Sequence, residues 1–212
     1  MSEVLTIKND LLIVSYFMKE NGWNGSNKSN FQRVLYFAAA LSPIFMSREK
    51  WIYNFSNTIF GPYNETIKEQ LGKLLVKGLM EVQERKILKN RVEERYNITN
   101  SGIKYCKDVL FKIDTQSAKV NWFRIIVKVL SIYGESFLAK LVKQDPNIYS
   151  QNIENMNARI IVDDSEENLS KEFFEFLRKK GKEQIQLELQ QDEDYLLLFF
   201  DILYRQYKGG KR

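Results

Sequence analysis

The chain predicts a mainly α-helical fold with a small β-hairpin wing, that is, a winged helix-turn-helix core followed by C-terminal helices. Three observations predict it. Residues 64–78 place Ile67, Leu71, Leu74 and Leu75 on one face of a 3.6-residue period and close on Gly78. Two runs of alternating character follow, 79–85 and 92–98, separated by a polar region around Lys89-Asn90. Thr99 or Asn100 then opens a further helix whose inward set is Ile103, Cys106, Leu110 and Ile113. Turn, helix, hairpin and fresh helix start is the linear order of a winged helix.

The elements are argued in chain order. Residues 11–18 are an apolar run after Asp10 and read as a buried helix closed near Asn21-Gly22. Residues 23–30 are turn formers, and Ser29 or Asn30 can cap the next helix. Its core stripe is Phe31, Val34, Leu35, Ala38 and Leu41, and Ser42-Pro43 ends or kinks it. Ser47, with Glu49 two residues on, starts another helix with Trp51, Ile52 and Phe55 on its apolar side. Gly61-Pro62-Tyr63 reads as a turn. Asn64 caps the helix after it, and Glu65 in the first turn suits the helix dipole. Ile87 and Leu88 leave the hairpin register open.

Beyond the hairpin, residues 120–133 are apolar around most of the helical circumference, which predicts burial. Gly134 breaks this helix, and Phe137, Leu138, Leu141 and Val142 form a short one ending at Asp145-Pro146. Residues 147–168 are Asn-rich and acidic and read as a linker or irregular arm. Two helical stretches follow, one with Phe173, Phe174, Phe176 and Leu177, the other over 195–204; 209–212 is a flexible end. The expected division is therefore 1–150, a winged-helix domain with flanking helices, and 151–212, an acidic linker with a C-terminal helical extension.

Composition narrows the function. There is no histidine and one cysteine, Cys106, so Ser-His-Asp, Cys-His, histidine–zinc and four-cysteine zinc chemistries are all excluded. Neither a dinucleotide-binding glycine motif nor a P-loop occurs. The carboxylate clusters Asp163-Asp164 with Glu166-Glu167, and Asp192-Glu193-Asp194, read as solvated acidic loops rather than a magnesium site or a glycosidase pair. The expectation is a protein that is not an enzyme and uses no cofactor or metal. A single cysteine, no basic-then-apolar leader, and apolar runs too short to span a bilayer place it in the cytoplasm, without a membrane partner.

Charge is unevenly spread. Residues 1–150 carry 22 Lys and Arg against 14 Asp and Glu, and residues 151–212 carry 10 against 13. A basic body permits a nucleic-acid partner without requiring one. The outward face of the 64–78 helix carries Glu65, Glu69, Gly72 and Val76, flanked by Lys73 and Lys77, a poor surface for a major groove. The wing is richer in cations: Arg85, Lys86, Lys89, Arg91 and Arg95 outnumber Glu84, Glu93 and Glu94. Those five are the candidate contacts to a DNA backbone, which would supply affinity but not sequence choice. The alternative is a solvated hairpin. Phe173, Phe174, Phe199, Phe200 and Tyr204 are the candidate partner interface, the alternatives being an intramolecular core or a homodimer seam.

The run Phe31-Gln32-Arg33-Val34-Leu35-Tyr36-Phe37-Ala38, then Trp51, Phe60-Gly61-Pro62-Tyr63 and 71–79, is similar to Panacea-type antitoxin domains. Tyr133-Gly134, Leu138, Leu141-Val142 and Asp145-Pro146-Asn147 more closely resemble middle components of bacterial ABC-three-component defence systems, which include small subunits of Lamassu-type complexes. The resemblance covers about residues 10–150. It implies an accessory subunit beside an SMC-like ATPase and an effector such as a nuclease, with no chemistry of its own. The competing expectation, resting on the basic wing and an isoelectric point near 9.1, is a DNA-binding transcriptional regulator or antitoxin.

Overall fold

The computed structural model describes residues 3–46, 51, 53–89, 91–151, 158–184 and 192–209. The expected helix start at Ser47 and Glu49, Ile52, the turn residue Asn90 and the end at 210–212 lie outside the described residues. What is described is mainly helical with two small antiparallel sheets. No described helix is long and apolar enough to cross a membrane.

Two helices open the chain, α1 (Glu3–Glu20) and α2 (Lys28–Phe45). Leu11, Leu12, Ile13 and Val14 on α1 are all fully buried, so this helix is apolar around its circumference and lies inside the core. The cap of α2 is Asn27, two residues earlier than Ser29, and its Oδ1 accepts the Asn30 N–H at 2.9 Å. Pro43 does not end α2. Its missing N–H leaves the Ala39 carbonyl without a helical donor, and the Ser42 hydroxyl donates to that oxygen at 2.8 Å. The helix completes one more turn, to Phe45.

The next segment corrects the sequence reading. Phe55–Thr58 is a strand, β1, paired with β2 (Gly61–Tyr63), and not part of a helix. Trp51 and Phe55 fit a helical spacing, but Tyr53 and Phe55 are buried while Asn54 is exposed, the period of a strand. Pro62 is tolerated because β2 is an edge strand, with β1 between it and β5 (Arg159–Ile160). Gln32 on α2 fixes where the next helix begins. Its amide accepts the Asn64 N–H at 3.0 Å and donates to the Asn64 carbonyl at 2.8 Å.

Asn64 caps α3 (Glu65–Val76), accepting the Ile67 N–H at 3.1 Å. The helix closes on Gly78, whose φ of 66° is the left-handed conformation glycine tolerates. The Gly78 N–H reaches the Leu75 carbonyl and the Leu79 N–H reaches Leu74, the paired bonds of a Schellman stop. The chain then enters β3 (Met80–Leu88), which pairs with β4 (Arg91–Ile98). The strands run further than the alternation at 79–85 and 92–98 suggested. Ile87 opposes Val92, and the one irregularity is a bulge at Gln83.

Thr99 caps α4 (Asn100–Asp108) through the Gly102 N–H and donates its own hydroxyl to the Gly78 carbonyl at 2.8 Å. This brings α4 hard against the turn after α3. A Cβ at Gly102 would lie 2.2 Å from the Leu79 carbonyl oxygen and 2.6 Å from Ile98. Tyr96, Ile98, Thr99 and Gly102 together are therefore a packing device: two core side chains, a cap and a residue without a side chain.

After two 3-10 turns come α5 (Ser117–Tyr133), α6 (Leu138–Gln144) and α7 (Pro146–Tyr149), and the chain ends in α8 (Leu169–Gln184) and α9 (Asp192–Gly209). Residues 147–168 are not simply a linker. They include α7, β5 and the fully buried Asn168, while 152–157 lie outside the described residues. Nor do the last helices stand apart from the rest. Helix α8 packs on α2 and α9 on α5 and α6, and Phe174, Leu196, Phe199, Phe200 and Leu203 belong to the same apolar cluster as Leu11 and Phe37.

A knot of buried polar groups ties these layers together. The fully buried Asp145 carboxylate accepts the Tyr36 hydroxyl of α2 at 2.5 Å and the Ser170 hydroxyl of α8 at 2.7 and 2.8 Å. It also caps α7 through the Asn147 N–H. Asn147 donates to Asn168, and Asn168 donates to the Ala40 carbonyl of α2 at 2.7 Å. No described cation pairs with Asp145. Burial raises its pKa to about 6, against the pull of these donors.

Two outcomes follow from this packing. Gly102→Ala should destabilise the chain by about 1–3 kcal/mol through overpacking, whereas Gly72→Ala, with open space around it, should stabilise α3 by roughly 0.5–1 kcal/mol. Urea denaturation of both variants checks the pair. Asp145 holds its proton more tightly folded than unfolded, so its contribution to stability declines as pH rises from about 4 to 6 and is flat above. Over that window the stability of the wild type should fall relative to Asp145→Asn, measured by denaturation at stepped pH.

Candidate docking and nucleic-acid surfaces

The outer face of α3 is assembled as its period requires. Glu65, Glu69, Gly72, Lys73, Val76 and Lys77 are exposed, with Val76 89% exposed. Glu65 pairs with Lys68 at 2.9 Å and accepts the Tyr63 hydroxyl, and that hydroxyl, with Lys68, holds its carboxyl below the usual range. Gln70, on the same helix, is buried, and its amide has no hydrogen-bond partner among the described residues. At the far end of α3, burial and the charge of Lys77 push the Lys8 ammonium down, so two cations converge there. Sequence spacing gave no sign of that pairing, because Lys8 and Lys77 come from different helices.

The β3–β4 hairpin and its tip hold all five candidate DNA-contact cations, but carboxylates neutralise three of them. Arg85 donates to Glu94 Oε1 at 2.7 Å, and Lys86 lies 3.0 Å from Glu84. Arg95 is the clearest correction. Its Nη2 donates to Glu135 Oε2 at 2.5 Å and to the Gly25 carbonyl at 2.7 Å, and its Nε to the Asn24 carbonyl. Glu135 in turn accepts from Ser26 and Asn30, each at 2.8 Å. Arg95 thus fastens the hairpin to the α1–α2 connection and to the turn before α6, and is not presented to a phosphate. Lys89 is exposed at the tip, and the Arg91 side chain lies outside the described residues.

The cross-strand partners could have been anticipated only with the register in hand. Once Ile87 opposes Val92, Arg85 opposes Glu94 and Lys86 opposes Glu93. Counting charges along the chain missed this, because a hairpin places opposite charges side by side that are nine residues apart in sequence.

The C-terminal aromatics are also placed differently from the expected interface. Phe174, Phe199 and Phe200 are at most 1% exposed, and Phe173 and Tyr204 are half-buried. Phe200 meets Phe37 edge-on at 5.0 Å and Phe199 at 5.2 Å, Phe174 meets Phe45 at 5.4 Å, and Tyr204 packs on Tyr133 and Phe137. These rings fill the chain's own core because α9 is apolar on the faces that meet α2, α5 and α6. Phe176, 53% exposed, is the aromatic of α8 that faces out.

Apolar side chains do emerge elsewhere. Ile59 and Phe60, at the β1–β2 turn, are 69% and 71% exposed, and Ile87 and Val92 near the hairpin tip are 81% and 56% exposed. Of the acidic clusters, Asp164 pairs with Lys171 and Glu193 with Lys128. Among the described residues no group of three or more His, Cys, Asp or Glu is arranged to hold a metal ion. Cys106 is buried, which pushes its thiol up to about 12 and away from reactivity. No family model matches the chain, and no curated protein matches it in sequence.

Phe199→Ala should cost the isolated chain about 3–5 kcal/mol, the loss expected of a core ring. Arg95→Gln should cost about 1–3 kcal/mol by stripping the charged bonds to Glu135, whereas Arg85→Ala, an exposed pair, should cost under about 1 kcal/mol. Denaturant unfolding of the three variants measures these differences.

Proposed function

We propose that the chain is a non-catalytic winged-helix accessory subunit of a bacterial multiprotein anti-phage or anti-plasmid defence complex. In this reading α3, the Schellman turn, the β3–β4 hairpin and α4 are the helix, wing and closing helix of the winged unit. The partners are larger subunits, an SMC-like ATPase and an effector nuclease, and DNA is at most a nonspecific second contact. The observation that carries the docking reading over DNA reading is the state of the wing: Arg85, Lys86 and Arg95 already have carboxylates, two of them on the wing itself. A cation that must break an internal pair to reach a phosphate contributes little net affinity. The acidic and apolar outer face of α3 argues the same way, since a major groove offers Glu65, Glu69 and Val76 nothing. Support for the partner class is the resemblance in residues 10–150.

Two measurements on one preparation test this. Co-expression with an ATPase carrying a coiled-coil insertion and a nuclease-like protein encoded beside this chain should yield a complex that survives gel filtration. DNA binding should show a log–log salt slope no steeper than about −3, with no preference among duplexes. A steep slope with a large specificity ratio, and no complex, would support the regulator or antitoxin reading instead.

A further inference from the structure

On the β4 side of the hairpin that the docking reading calls the wing, a third strand is begun and not continued. Ser26, in the α1–α2 connection, pairs with Tyr96 on the outer side of β4, exchanging both backbone bonds at 2.9 and 2.8 Å. Ser26 therefore stands as a one-residue third strand, after which the chain turns away into α2. In an antiparallel ladder alternate residues point their N–H and C=O to the same side. With the bulge on β3 and not on β4, Glu94 and Val92 repeat the outward orientation of Tyr96. No described backbone group pairs with either one, so the edge continues open where Ser26 stops.

Beside that edge lies a cleft of about 470 Å³, bounded by the first turn of α2, Phe60 of the β1–β2 turn and β4 itself. Its charges are matched with one exception. Lys28 pairs with Glu94, Lys86 with Glu84 and Arg95 with Glu135. Arg33, on the α2 wall, donates to Asn30 Oδ1 at 2.7 Å and to the Phe60 carbonyl at 3.1 Å, but no described carboxylate forms an ion pair with it; Glu135, behind Asn30, is spent on Arg95, Ser26 and Asn30. Its Nε is buried without an acceptor. A half-buried guanidinium held by neutral oxygens alone is an incomplete site for an anion. Exposed Phe60 and Val92 supply apolar surface within the same cleft.

We propose that the outer edge of β4 binds an extended peptide segment of a partner protein, which adds a strand beyond Ser26, places an Asp or Glu side chain on Arg33 and covers Phe60 and Val92 with an apolar one. The proposal rests on the docking reading and names its contact surface. Backbone bonds to Glu94 and Val92 supply affinity, and the two side-chain contacts supply selectivity. Nucleic acid does not suit the cleft, because Glu84, Glu93 and Glu94 line it and a polyanion would meet them with a single unmatched cation. A second copy of this chain does not suit it either, because pairing β4 with itself would set Glu93 and Glu94 of the two copies against each other.

The test is selection of eight-residue peptides from a random display library on the full chain, followed by anisotropy titration of the synthesised winners. The expected winners carry one acidic residue and apolar residues at alternate positions. Val92→Pro removes an outward N–H and leaves the bonds to β3 intact, a change edge strands accept. It should weaken binding at least tenfold with an unchanged thermal melt, and Arg33→Gln should weaken binding tenfold for acidic winners only. Enrichment of basic peptides, no enrichment, or titrations indifferent to both variants would overturn the proposal, as would self-association abolished by Val92→Pro. The docking reading is judged separately. If Val92→Pro still assembles with the ATPase and nuclease, the edge proposal falls and the reading stands; if the wild type assembles with neither, the reading falls whatever the peptides do.

Discussion

The buried carboxylate of Asp145 is the constraint on which the arrangement of this molecule depends. An ionisable group with no cation beside it is tolerable in a core only when donors surround it, and here they come from three separate helices. Tyr36 brings α2, Ser170 brings α8, and the start of α7 brings its own backbone. Each donor reaches the carboxylate only if those helices sit in one relative position. Hydrophobic packing of Phe37, Phe174, Phe199 and Phe200 would tolerate several registers, but the polar knot selects one. The C-terminal helices are committed to the core, and the rings of Phe174, Phe199 and Phe200 are enclosed in it.

A second consequence is where the exposed chemistry ends up. With α8 and α9 closed over α2, α5 and α6, the protruding features are the β1–β2 turn, the β3–β4 hairpin and the outer face of α3. The hairpin is held by Arg95, which bonds to the loop before α2 and to Glu135 before α6. Three of the charges that look like an invitation to DNA, Arg85, Lys86 and Arg95, are therefore held in internal pairs. What remains open is a strand edge with an arginine that lacks a carboxylate, the exposed Phe60 ring and the exposed Val92 beside it, the surface on which the peptide proposal rests.

Much of the fold was legible in the sequence where the signal was local. Asn64 as a cap, Thr99 as one of two candidate caps, Gly78 as a helix stop and the burial of Trp122, Phe123, Ile126, Val127, Val129 and Leu130 follow from the chemistry of a few neighbouring residues, although Ile132 in the same run is exposed. The failures share a cause. Trp51 and Phe55 suit a helical period as well as a strand's, and only pairing with β2 and β5 decides between them. The aromatic residues at 173–204 were ambiguous because apolarity predicts burial but not against what. The candidate site was the least legible part. Arg85 and Arg95 cannot be told from free cations until the hairpin register sets Glu94 against the first and tertiary packing sets Glu135 against the second, and the open edge of β4 depends on Ser26, some 70 residues away in the chain. Long-range pairing carries that information, and composition and periodicity do not.

The central claim is that the C-terminal helices belong to one cooperative core while the outer edge of β4 is unpaired. Amide hydrogen exchange on the isolated chain tests both halves at once. The account predicts that amides within 196–203 of α9 exchange as slowly as those in the middles of α2 and α5, and that the Val92 and Glu94 amides exchange close to the unprotected rate. Fast exchange throughout α9 with slow exchange at Val92 and Glu94 would contradict it.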